Sequence, residues 1–223
     1  MTRVALILAG CGYLDGAEIQ EAVCTLLALE RAGIAYRSFA PDIEQFHVVD
    51  HSSGEVDSSA DRNVLQESAR IVRGDLAPLQ DLQPGDFDAL VMPGGFGVAK
   101  NLCTFAVDGP DCQVHPQMAE LVRGFHAAGK PIVALCIAPA LIAKVLGDGV
   151  ELTLGTDDGM AEALNILGAT PQKAAETEIV IDQRHRVISS PCYLFDDATV
   201  AQIATSTERA VQALLDLLAH YKN

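Results

Sequence analysis

The sequence predicts an α/β domain in which a mostly parallel sheet is covered by helices on both faces. Three observations carry this. Short, wholly apolar runs recur at residues 4–9, Ala89–Met92 and Ile132–Leu135, which is how strands buried on both faces read. A glycine-rich or sharp turn and then a helical pattern follow these runs, the alternation that builds a parallel sheet. The chain has 223 residues, 49% hydrophobic and 20% charged, a balance that suits one domain, 1–223, with a substantial core.

The elements follow in order. Residues 4–9 read as the first strand. Residues 17–31 read as a helix, with Ile19, Val23, Leu26 and Leu27 at helical spacing and Gly33 as its stop. A second strand spans 34–39 and closes at Ala40-Pro41. A helix at 64–72 ends in Arg73-Gly74, and the strand at 89–92 runs into Pro93-Gly94-Gly95. Helices are predicted at 118–128, 138–146 and 160–167, the last closed by Gly168, with a strand at 132–135 before the second of them. Residues 179–181 and 187–189 read as a hairpin or as neighbouring strands, and 199–219 as a long closing helix. The polar stretch 46–61 reads as a loop with a short hairpin, and 96–116 is irregular. Long irregular loops in a compact domain often carry function.

Composition excludes several classes. Fifteen Lys and Arg against 30 Asp and Glu leave a formal charge of −15, which argues against nucleic acid or an anionic membrane surface as partner. No apolar run approaches the ~18 residues of a membrane span. Met1-Thr2-Arg3 leads straight into a short apolar run, so no secretory leader is expected. The six cysteines form no C-x-x-C pair, and no His or Cys spacing suits a metal. No metal or cofactor is therefore expected, and reduced thiols in the cytoplasm are.

The strongest local signal is Cys136. Gly129-Lys130-Pro131 turns into four apolar residues, Cys136 follows at once, and a helical run starts at Ala138. A nucleophile at such a strand-to-helix junction stands on a sharp turn, facing the first amides of the next helix. Those amides favour an anion and lower a thiol pKa. The plainer alternative is a small buried residue, since free cysteines are often buried. Ligands of such sheets bind beyond the carboxyl ends of the strands, which gathers Gly10-Cys11-Gly12, the 93–97 turn and Cys136 at one edge. A dinucleotide site at residues 10–16 is disfavoured: the glycine spacing is one residue too long for G-x-G-x-x-G, Asp15 would face the phosphate, and the second strand ends in Ala40-Pro41 rather than an acidic residue.

These residues resemble a known superfamily. Cys136 on its turn, Gly94-Gly95, and the run from Gly16 to Glu21 are similar to the DJ-1/PfpI superfamily. The stretches Leu8 to Gly16, Phe39-Ala40-Pro41-Asp42, Met92 to Leu102 and Cys136-Ile137-Ala138-Pro139 resemble one branch more closely, the ElbB family (isoprenoid biosynthesis protein with amidotransferase-like domain). The likeness covers nearly the whole chain. It implies a flavodoxin-like three-layer sandwich of the class I glutamine amidotransferase-like kind. It assigns Cys136 as nucleophile and Glu21 as the carboxyl beside its sulfur, with Glu18 as rival on the same helical face. It places Gly94, Gly95 and Ile137 at the oxyanion site and Asn101 among the substrate-binding residues. Left to themselves, Glu21 reads as a solvated helix residue and Asn101 as a helix cap.

The chain departs from the proteases and amidotransferases of this fold. Ile137, not histidine, follows Cys136, and no histidine lies between His126 and His185. A Cys-His dyad is not expected. A thiol with one carboxyl suffices to add to an aldehyde, and the resemblance implies glutathione-independent glyoxalase activity, converting glyoxal or methylglyoxal to glycolate or lactate slowly. The competing reading is a thiol-based redox or stress-response protein, with Cys11 as a resolving thiol, indirectly linked to isoprenoid synthesis. The resemblance also implies a homodimer whose partner otherwise is only a small aldehyde.

Overall fold

The computed structural model describes residues 2–220. In chain order the elements are β1 (Arg3–Ile7), α1 (Ile19–Arg31), β2 (Ala35–Ala40), β3 (Val49–Asp50), β4 (Glu55–Val56), α2 (Val64–Ile71), β5 (Leu76–Pro78), β6 (Ala89–Met92), α3 (Phe105–Asp108), α4 (Pro116–Ala127), β7 (Ile132–Leu135), α5 (Ala138–Leu146), β8 (Glu151–Leu152), α6 (Asp158–Ile166), β9 (Thr170–Pro171), β10 (Val180–Asp182), β11 (Val187–Ser190) and α7 (Val200–His220). A single turn of π-helix, Val98–Leu102, precedes α3.

Among the described residues, seven strands form the central sheet in the order β10-β11-β7-β6-β1-β2-β5. All neighbours run parallel except the edge strand β10, antiparallel to β11. This is the predicted mostly parallel, three-layer α/β architecture. Alternate residues of β1 and its extension divide between two cores. Val4, Leu6 and Leu8 pack with α1 and α7, while Ala5, Ile7 and Ala9 pack with α4 and α5. That is why these strands read as unbroken apolar runs.

From β1 the chain crosses to β2 on one side, and β6 pairs on the other. The turns after β1, β6 and β7 therefore meet at the carboxyl ends of three adjacent strands. They are tied by backbone hydrogen bonds: Glu18 N–H to Gly94 O at 2.9 Å, Phe96 N–H to Tyr13 O at 2.7 Å and Gly97 N–H to Gly16 O at 2.8 Å. The polar 46–61 stretch does contain a hairpin, β3–β4.

Some expectations need correction. Helix α1 begins at Ile19 rather than Ala17, because Glu18 caps it, its Oε2 accepting the Glu21 N–H at 2.6 Å. The apolar spacing read along this helix is not its buried face. Ile19, Val23 and Leu27 are 43%, 47% and 41% exposed, whereas Glu21, Ala22, Cys24, Thr25, Ala28 and Leu29 face inward. The inner face is built of small residues, which lets α1 lie close against Ala210, Ala213 and Leu214 of α7. Strand β5 went unread because Pro78 ends it, and proline is tolerated there only because the strand is an edge. The two-residue strands β8 and β9 are too short to carry a periodic signal. Among the described residues no helix is long and apolar enough to cross a membrane.

Candidate active site

Cys136 leaves β7 with its N–H donating to Ser190 O at 2.8 Å, a continuation of the β7–β11 ladder. Its φ is +56°, the left-handed region that costs a non-glycine residue about 1–2 kcal/mol. Ile137 follows as the cap of α5, with Pro139 in the first turn. The strained turn swings the thiol away from the sheet and toward the turn after β6, where glycine makes room. A Cβ on Gly94 would come to 2.9 Å from both Cys136 Sγ and Glu21 Oε2.

Glu21 projects from the first turn of α1 into the same space, wholly buried. Its Oε2 accepts the Gly94 N–H at 2.9 Å and its Oε1 the Tyr193 N–H at 3.1 Å. The carboxyl also hydrogen-bonds the Cys136 thiol. Burial, reinforced by the Glu18 carboxylate, pushes Glu21 up from 4.5 to about 7, against the pull of these three hydrogen bonds. Burial and the neighbouring Glu21 also hold the Cys136 thiol well above its ordinary range, although the Gly95 N–H donates to the sulfur. This corrects the expectation of a low-pKa thiolate. The helix amides are present, but removal from water outweighs them. Above about pH 7 the pair carries one proton, on sulfur, with the ionised carboxyl beside it poised to take it.

The thiol closes one end of a cavity of about 270 Å³, lined mainly by apolar side chains including Phe96, Phe105, Ile137, Met160 and Leu194. Its polar side chains besides the thiol are Tyr13, Glu18, Tyr193 and the exposed Asp196. Burial raises Glu18 as well. Among the described residues no histidine lines it. His126 and His185 instead stack on each other at 5.7 Å, with His185 just before the start of β11, at the opposite end of that strand.

Cys136, Glu21, Gly94, Gly95 and Ile137 are thus brought together. Gly95 has a φ of +97°, and a Cβ there would collide with the backbone of Gly16, Ala17 and Glu18, so only glycine permits the close join between the two turns. Asn101 is not brought to the cavity, contrary to its expected substrate-binding role. Its Nδ2 donates to Ala9 O at 2.9 Å and Asp15 O at 3.0 Å, and its Oδ1 accepts the Phe46 N–H at 2.9 Å. It laces three loops together from behind the site. Cys11 does not line the cavity either; it lies among Glu67, Arg70 and Asp15.

Sequence reading missed Tyr193, Cys192 and Asp196. Cys192 is fully buried and left-handed at φ +49°, and burial together with the nearby Glu21 holds its thiol well above the ordinary range. The available signal was positional. Ser190-Pro191-Cys192-Tyr193 is the carboxyl end of the strand next to β7, where ligands of such sheets are met.

Residues 3–191 match the profile of the DJ-1/PfpI family. The chain belongs to the DJ-1/PfpI family. It is 46% identical over 205 residues to the human glutamine amidotransferase-like class 1 domain-containing protein 3, mitochondrial, covering 88% of this chain and 76% of that one. It is 47% identical over 201 residues to the rat ES1 protein homolog, mitochondrial, covering 86% and 75%. A solved structure, the isoprenoid biosynthesis protein with amidotransferase-like domain from Ehrlichia chaffeensis, superposes with a TM-score of 0.91 at 34% identity, over 98% of this chain and 100% of that one. The fold is accordingly the flavodoxin-like, class I glutamine amidotransferase-like one of this family. Those two mammalian relatives carry the word mitochondrial in their names, which does not fit the cytoplasmic expectation.

Proposed function

We propose that this member of the DJ-1/PfpI family is a glutathione-independent glyoxalase of the ElbB type. The observation that supports it most is the buried carboxyl of Glu21 hydrogen-bonded to the Cys136 thiol, with no histidine beside them among the described residues. A carboxyl raised to about 7 is matched to moving protons near neutral pH.

In this scheme the Cys136 sulfur adds to the aldehyde carbon of methylglyoxal and its proton passes to Glu21. The Gly95 and Ile137 amides hold the new oxyanion, which takes that proton to become a hemithioacetal. Glu21 then removes the C1 hydrogen while the C1 hydroxyl passes its proton to the C2 oxygen, giving an enediolate held by the same amides. Glu21 returns its proton to C2 as the C1 oxygen becomes the carbonyl of a thioester, and water cleaves it to lactate and the free thiol. The balance is methylglyoxal plus water to lactate, with no external oxidant or reductant. Two carbon proton transfers share one carboxyl, so turnover is expected to be slow.

The test is lactate formation from methylglyoxal without glutathione, beside Cys136→Ala and Glu21→Gln. Lactate that vanishes in the first and falls at least about 100-fold in the second supports the scheme. Equal rates in the cysteine variant sink it. The redox reading has less behind it, because a thiol pushed up by burial is oxidised slowly. The compartment we propose is a reducing one, since all six cysteines are free. A homodimer is proposed too, with the exposed stripe Ile19, Val23 and Leu27 on α1 as the face to be covered; a monomer in sedimentation velocity would contradict it.

A further inference from the structure

We propose that the cavity sorts carbonyl compounds by charge and apolarity, taking uncharged 2-oxoaldehydes with an aryl or branched alkyl substituent and repelling anions, its own hydroxy-acid product included. The proposal deepens the Cys136–Glu21 reading above and rests on it for the reaction.

The first ground is size and lining. At ~30 Å³ per water, 270 Å³ holds about nine waters. Methylglyoxal, with one methyl beyond its two carbonyls, leaves most of that space empty. The space beyond the thiol is walled by Phe105, Met160, Leu194 and Phe96, so an apolar substituent leaves water there and gains contact.

The second ground is charge. The carboxyls of Glu18 and Asp196 line the cavity, and Glu21 lies directly behind the thiol. Among the described residues no Lys, Arg or His lines it. Lys100 touches the lining through the Phe96 ring, 5.0 Å from its centroid, and donates to Leu14 O at 2.9 Å. An anion entering here leaves water for a site of its own sign, within a chain of formal charge −15. A 2-oxoaldehyde is neutral and the hydroxy acid made from it is an anion. Cleavage of the thioester by water therefore creates the charge that the site repels, and product departure is favoured by the same carboxyls that leave neutral substrate unopposed.

The experiment uses the whole purified chain without glutathione. Phenylglyoxal, read as mandelate, is expected to have a kcat/KM about tenfold or more above methylglyoxal, read as lactate. The 4-carboxy derivative of phenylglyoxal is expected about tenfold or more below phenylglyoxal, and Asp196→Lys to recover about fivefold of that loss. A binding arm needs no turnover: acetophenone against 4-acetylbenzoate by calorimetry, with Met160→Trp to fill the apolar end. Turnover of methylglyoxal with no preference for the aryl substrate, or no penalty for its carboxylate, overturns the sorting and leaves the glyoxalase reading intact. If no oxoaldehyde is turned over, that reading fails and the binding arm decides. Acetophenone binding that Met160→Trp removes, with 4-acetylbenzoate about tenfold weaker, sustains the sorting; equal binding, or none, overturns it.

Discussion

The Glu21 carboxyl meets the Cys136 thiol across a gap that only glycine at position 94 leaves open. Three elements far apart in sequence converge there: the first turn of α1, the turn after β6 and the turn after β7. Burial raises the proton affinity of both groups, and Glu21 raises that of Cys136 further, whereas the hydrogen bond from the thiol draws Glu21 back down. The two behave as one site with one mobile proton.

The pair's proton should be visible in stability. Glu21 is held near 7 in the folded chain against 4.5 when exposed. Between those values the folded state keeps a proton that the unfolded chain has lost, so stability falls as pH rises through the window. Urea unfolding between pH 4.5 and 7.5 should show wild type losing roughly 3 kcal/mol more than Glu21→Gln. Parallel curves would contradict the raised carboxyl.

Gly94→Ala should disable the site by crowding its two reacting groups while replacing neither. The new methyl would collide with Cys136 Cβ and press on Cys136 Sγ and Glu21 Oε2, an overpacking that should cost at least about 1–3 kcal/mol. Thermal melts and the methylglyoxal assay together check this. A variant with wild-type stability and rate would show that the gap is wider than described.

How much of this was legible beforehand depends on the signal each part leaves. The buried parallel strands announced themselves as apolar runs, and Cys136 as a break between a strand and a helix. Glu21 had no local signature: a glutamate in a first helical turn looks solvated, and only the sheet order brings it under the turn after β6. The misread face of α1 has the same origin, since Ala22 and Ala28 are inward because α7 packs closely, not because they are the most apolar. Asn101 was read for its position in a motif, but its amide is held by Ala9, Asp15 and Phe46, partners that sequence spacing does not reveal.

The strained turn gives a prediction of its own. Cys136→Ala and Cys136→Gly both remove the thiol, but at φ +56° only glycine relieves the left-handed strain. Cys136→Gly should be the more stable of the two by about 1 kcal/mol in urea unfolding. The reverse order would mean that the turn relaxes once the sulfur is gone.

Asn101→Ala separates lacing from catalysis. It leaves buried carbonyls of Ala9 and Asp15 and the Phe46 N–H without their partner, at a cost of about 2–4 kcal/mol. Stability should drop by that amount. The folded fraction should keep kcat for methylglyoxal within about threefold, since the amide lies outside the cavity. A large loss of kcat at unchanged stability would return Asn101 to the substrate.

The most direct test of the paired thiol and carboxyl is the pH dependence of Cys136 alkylation by iodoacetamide, read at the peptide level in wild type and Glu21→Gln. Wild type should react at a rate that rises through about pH 7, as Glu21 loses its own proton and can accept that of the thiol. In Glu21→Gln that step should vanish, leaving reactivity that climbs only in the alkaline range. An alkaline-only profile in both proteins would contradict the account.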